Sequence, residues 1–167
     1  MLLVFIGFLL AHAHININEF DLLPNFLGFF LVFLGLRQLE HQANSFGKGK
    51  PWALGLAIFH LITLFPISLP VPAYGIIELL SLSASAYLIY LICIGVRELE
   101  QSRGQDLGSQ KMLTIWKLYT VCVLAAALLT YVPLGFAMLI GIVLAVVSLV
   151  CIILLLVRLY RVYKALE

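Results

Sequence analysis

Apolar residues along this chain come in long blocks, and the polar residues collect in short stretches between them. Six blocks approach the roughly 20 apolar residues that a helix needs to cross a ~30 Å hydrocarbon core. They cover about 1–17, 22–39, 52–69, 74–96, 113–132 and 134–160. The first is short and polar at its end, and the third carries Pro66 near its end. The last two have no charge between them: Leu118 to Val157 is an uncharged stretch of 40 residues. As one helix it would be ~60 Å long, twice the core thickness, so it must fold back. Tyr131-Val132-Pro133-Leu134-Gly135 is the turn that Pro and Gly mark. In lipid every backbone polar group must be paired internally, and these blocks are too long and apolar for barrel strands. The predicted fold is all-α: a polytopic transmembrane bundle of six helices arranged as hairpin repeats, forming a single integral membrane domain over 1–167.

Composition agrees with lipid as the solvent. The 167 residues are 63% hydrophobic and 11% charged, against roughly 45–50% and 25% in a soluble domain. The mean hydropathy is +1.12. A chain this small has too much surface for its volume to hide that much apolar area from water. The net charge of +2 carries no sign of nucleic-acid binding. Its distribution says more. With six spans, all ten Lys and Arg fall on one side: Arg37, Lys48, Lys50, Arg97, Arg103, Lys111, Lys117, Arg158, Arg161 and Lys164. The other side carries Glu19, Asp21 and Glu78. The positive-inside rule puts the basic side and both termini in the cytoplasm. Trp52, Trp116, Tyr119, Tyr160 and Tyr163 then fall near the cytoplasmic interface, where amphipathic rings are favoured. Cys93, Cys122 and Cys151 all lie in apolar blocks with no CxxC pair, and read as small packing residues.

Leu2 to Leu10, followed by Ala11-His12-Ala13, has the outline of a signal peptide, but no Lys or Arg precedes the apolar run. An internal repeat is visible at an offset of 60 residues. Gly35-Leu36-Arg37-Gln38-Leu39-Glu40 closes the second block and Gly95-Val96-Arg97-Glu98-Leu99-Glu100 closes the fourth. Asp21 then falls on Ser81 and Asn25 on Ser85. Val157-Arg158-Leu159-Tyr160 is a weaker echo. Parallel hairpin repeats occur in transporters; equally, any helix leaving a membrane favours an Arg and a carboxylate at its end.

Several polar residues are candidates for function. His12, His14, Asn16 and Asn18 would share one face of an extended segment. The two His, with Glu19 or Asp21, are a candidate Zn or Cu site, set against a plain wet loop. Asp21, with Pro24 after it, also reads as a helix start. His60 lies ~13 Å into the third block, counting from Pro51, a depth where ionisable residues face a bundle interior or a water path. Thr63 shares its face, and Tyr87 and Tyr90 are expected near its level. His60 reads either as a proton relay or ligand contact, or as a neutral side chain tying two helices together. Glu78, Ser81 and Ser85 form one helical stripe, and Asp21, Asn25 and Gly28 another. Packed face to face, the stripes would line a polar chamber; alternatively Ser and Gly serve close helix packing. Arg158, Arg161 and Lys164, with Tyr160 and Tyr163 between them, read as a basic helix touching anionic lipid.

The chain has no P-loop, no GxGxxG after a strand, no HExxH and no GxSxG, so neither an enzyme nor a bound cofactor is expected. The stretch Asp21-Leu22-Leu23-Pro24-Asn25-Phe26-Leu27-Gly28-Phe29, running on to Gly35-Leu36, resembles small uncharacterised polytopic inner-membrane proteins of Gram-positive bacteria. The resemblance covers one span and implies a bacterial inner-membrane location, with no activity attached. Two functional classes follow. One is a small-solute or ion transporter or channel using the polar stripes and His60. The other is a non-catalytic accessory or regulatory subunit of another membrane protein. The expected partners are membrane lipids, with a further copy of the chain or a membrane protein beside it.

Overall fold

The computed structural model describes residues 1–12, 16–17, 20–21, 25–63, 71–129 and 135–166, with side chains left aside at 16–17, 20–21, 71–74 and 135–138. Six helices are present among them: α1 (Leu2–His12), α2 (Asn25–Leu39), α3 (Asn44–Ile62), α4 (Val71–Arg103), α5 (Ser109–Leu129) and α6 (Gly135–Leu166). The fold is all-α apart from a two-residue antiparallel ladder, β1 (Asn16–Ile17) on β2 (Phe20–Asp21), with Asn16 opposite Asp21 and Ile17 opposite Phe20. Each helix packs on the next in sequence, and α6 returns to α1, so the six close into a ring.

Among the described residues three helical segments are long and apolar enough to cross a membrane: Gly75–Arg103, Ser109–Leu129 and Leu139–Leu166. That corrects the expectation of six full-length spans. Helices α1 and α2 are apolar but have 11 and 15 residues, or ~17 and ~23 Å at 1.5 Å per residue. Helix α3 begins at Asn44, not at Trp52. Its first two turns, with Ser45, Lys48 and Lys50, had the composition of a loop. They are helical because Phe46 is fully buried and Glu98 of α4 caps the turn: Ser45 donates its N–H to Oε2 at 3.0 Å and its hydroxyl to Oε1 at 2.6 Å. Pro51 is tolerated inside α3 although its ring removes one backbone donor. Helix α4 runs on to Arg103, beyond the expected end at Val96, and α5 starts at Ser109, where Glu100 accepts its first N–H at 3.0 Å. The predicted turn at 131–135 lies outside the described residues except for Gly135, which opens α6.

Two packing modes hold the ring. Between α1 and α2 the backbones themselves touch. A Cβ on Gly7 would stand 2.6 Å from the Gly28 carbonyl oxygen, and one on Gly28 would stand 2.6 Å from the Ala11 nitrogen. Small residues allow such approach where lipid supplies no hydrophobic drive between helices. Elsewhere side chains interlock. Phe8, Leu36, Phe46, Ile92, Met112 and Val162 are among the large fully buried groups, one from each of the six helices. The outer face of α6 is the reverse: Leu139, Ile142, Val143, Val146, Val150 and Ile153 are each at least half exposed. A continuous apolar face of that extent suits contact with lipid.

Candidate functional site

The helix ends carrying the basic residues meet at one end of the bundle. Lys50 pairs with Glu40, Arg103 donates to the Gln42 side-chain carbonyl at 3.3 Å, and Phe5 lies 5.5 Å from the Tyr160 ring. A ladder of rings crosses three helices near this end. Trp52 of α3 stands edge-on to Tyr87 at 5.0 Å, Tyr87 stacks on Tyr90 at 6.1 Å, and Tyr90 meets Trp116 of α5 at 4.8 Å. Trp116 fixes the ladder by donating its indole N–H to the Ala86 carbonyl at 2.7 Å. Such pairs add about 0.5–1.5 kcal/mol beyond area burial. Tyr119, one turn further along α5, is buried among the helices.

Below the ladder α3 and α4 part to form a cleft of about 290 Å3, lined by Trp52, Gly55, Phe59, Ile77 and Leu80, with Ser81 as its one hydroxyl. Ser85, a turn further on, is buried. Glu78 is exposed and does not line the cleft. His60 faces the other neighbour of α3. Its ring lies flat on Phe29 of α2, with centroids 5.2 Å apart and planes 4° from parallel, and Phe59 meets it edge-on at 5.3 Å. Thr63 donates its hydroxyl to the His60 carbonyl at 3.0 Å. Tyr87 is level with Trp52 rather than with His60. Helix α4 continues past Arg97 to Arg103, so Arg97 does not mark its end.

Asn25 and Gly28 of the first polar stripe sit on α2 and the second stripe on α4, and α3 packs against both helices. Asn25 opens α2 with its Oδ1 buried and without a hydrogen-bond partner among the described residues. Asp21 is placed in β2; its side chain, and the residues linking it to α2 where a capping role would lie, fall outside the described set. The extended face proposed for His12, His14, Asn16 and Asn18 does not form as such. His12 belongs to α1, its Nδ1 3.0 Å from the Phe8 carbonyl oxygen, while His14, Asn18 and Glu19 lie outside the described residues. Among the described residues no three metal-binding side chains come together.

Among the described residues the large side chains that fill the ring's centre are apolar. Between Phe8, Ile92, Met112 and Leu155 the residual cavity is about 10 Å3, the size of a single water and without polar partners for one. Arg158, Arg161 and Lys164 line the last turns of α6, with the Lys164 ammonium 5.6 Å from the centre of the Tyr160 ring. Sequence reading missed the caps supplied by Glu98 and Glu100. Their signal was a carboxylate pair near the end of α4 together with a Ser near the start of each neighbouring helix, Ser45 in α3 and Ser109 in α5. Comparison with known proteins matched no family model, no curated protein and no solved structure.

Proposed function

We propose that this chain is a non-catalytic accessory subunit that binds another membrane protein, rather than a conduit. The carrying observation is the packed, apolar centre of the ring among the described residues, where the cavity between Phe8, Ile92, Met112 and Leu155 is about 10 Å3, too small for a solvated solute. The half-cleft between α3 and α4, and the apolar face of α6, open outward to the surroundings instead. In this reading all six helices cross the bilayer as three hairpins, with the basic end and both termini in the cytoplasm of a bacterial cell. The short α1 and α2 are accommodated by local thinning of the bilayer or by the polar segment between them. The matching positions of Gly35 and Gly95, each pressed against the preceding helix, support a duplicated hairpin. The test is native mass spectrometry of the protein in lipid nanodiscs, drawn from its own host, beside flux assays in liposomes. A stoichiometric second protein and background flux are expected.

A second reading, transport through the bundle, is favoured by the buried, unpartnered Oδ1 of Asn25, which offers a polar seat at the end opposite the basic residues. It predicts a proton or solute flux that His60→Leu abolishes without changing the melting temperature. That result would overturn the accessory reading.

A further inference from the structure

At the basic end, the loop between α4 and α5 and the last turns of α6 enclose a cup of about 270 Å3. Three cations line it: Lys111 from α5, and Arg158 and Arg161 from α6. One carboxylate, Asp106, shares the lining, and its Oδ1 already accepts the Gly108 N–H at 2.9 Å. That bond closes the turn and holds Gly108 in the left-handed region, at φ +76°. Arg158 reaches over this turn: its Nη1 would lie in ordinary contact, 3.6 Å, with a Cβ at Gly108. Arg158 is half-buried, whereas Lys111 and Arg161 are exposed. None of the three has an ion-pair partner among the described residues. The start of α5 adds little, because Glu100 already accepts its first N–H.

We propose that this cup binds a phosphate group, held between Lys111 on one wall and Arg158 and Arg161 on the other. Three like charges around one concavity repel each other and raise its positive potential until an anion enters. Two guanidinium groups supply planar, paired donors suited to phosphate oxygens, and the ammonium supplies a point charge opposite them. The chemistry is shared by the headgroup of an anionic phospholipid and by a soluble phosphorylated molecule. Lys164 is the internal contrast: it lies on the same helix, over the Tyr160 ring, and is not part of the lining. The proposal stands apart from whether the bundle conducts, because the cup lies outside the ring's interior.

The test uses the full chain in phosphatidylcholine nanodiscs. Phosphatidylglycerol is added and its retention counted by native mass spectrometry. Separately, inorganic pyrophosphate is titrated calorimetrically without the anionic lipid. One phosphatidylglycerol or one pyrophosphate per chain is expected. Arg161→Gln and Lys111→Gln should each weaken binding roughly tenfold, as loss of one charge-assisted hydrogen bond implies, while Lys164→Gln leaves it within about twofold. Retention of the lipid alone makes the source a headgroup; pyrophosphate binding without the lipid makes it a soluble ligand. The proposal is overturned if neither probe binds, or if Lys164→Gln weakens binding as much as Arg161→Gln, since the attraction would then be surface charge alone. Lys111 and Arg161 are exposed, so their substitution should leave the melting temperature nearly unchanged.

Discussion

The segments 35–40 and 95–100 share Gly, Arg, Leu and Glu at corresponding positions, yet the structure uses them differently. Gly35 is pressed against both side chain and backbone of α1: a Cβ there would stand 2.7 Å from Val4 Cγ2 and 2.8 Å from the Val4 nitrogen. Gly95 is pressed against a side chain, with the Phe46 ring 2.3 Å from the same imagined atom. Glu40 meets the Lys50 side chain, whereas Glu100 meets the first N–H of α5. Where the first segment has the exposed Gln38, the second has Glu98, which caps α3. A shared helix-end pattern thus fixes where two helices approach but not what they exchange. A glycine is a vacancy, and its neighbour decides whether backbone or an aromatic ring fills it.

Substitution can break this contrast, beginning with the glycines. Gly35→Ala should be the most damaging change, because the added methyl meets backbone and α1 must move as a body. A loss of about 3 kcal/mol or more is expected, at the upper end of overpacking costs, read as a lowered midpoint in detergent unfolding. Gly95→Ala should cost about 1–3 kcal/mol, but a smaller ring-side partner should relieve it. The double variant Gly95→Ala/Phe46→Leu is expected to be more stable than additivity of the two singles predicts. Strict additivity would show that the ring and the glycine are not in contact. Trimming the Val4 side chain should rescue Gly35→Ala only in part, because the Val4 nitrogen remains in the way.

Smaller effects come from the carboxylates. Glu98→Gln makes the second segment match the first at that position. It weakens two hydrogen bonds to a charged acceptor, so about 1–2 kcal/mol should be lost, with faster hydrogen exchange confined to the first turns of α3. Glu40→Gln removes a partly exposed ion pair, worth about 0.2–1 kcal/mol. Added salt should shrink that last difference further; a salt-independent loss would mean that Glu40 acts through packing instead.

Much of the fold was legible because lipid imposes simple demands. Pro133 and Gly135 had to interrupt the uncharged stretch from Leu118 to Val157, and α5 and α6 flank that point. The boundaries at the basic end were less legible. Residues 44–50 carry two Lys and two Gly and resemble a loop in isolation. Only the arrival of Glu98, 53 residues later, makes a helix there favourable, by capping it and letting Phe46 sink against Gly95. The candidate polar residues were legible one at a time, but their company was not. His60 stood out as an ionisable group in an apolar block, and the structure gives it an aromatic neighbour, Phe29.

By itself the sequence determined that most of this chain is helical and that its longest helices suit a membrane. Both depend on local composition and on the length of uninterrupted apolar runs, which a single segment carries without its neighbours. The tertiary structure alone decided the closing of the ring by α6 on α1, the filling of its centre, the separation of the two polar stripes by α3 and the gathering of Lys111, Arg158 and Arg161 around one cup. Those features depend on which helix faces become neighbours, and that follows from the close approaches at Gly7, Gly28 and Gly95, whose contacts lie far away along the chain.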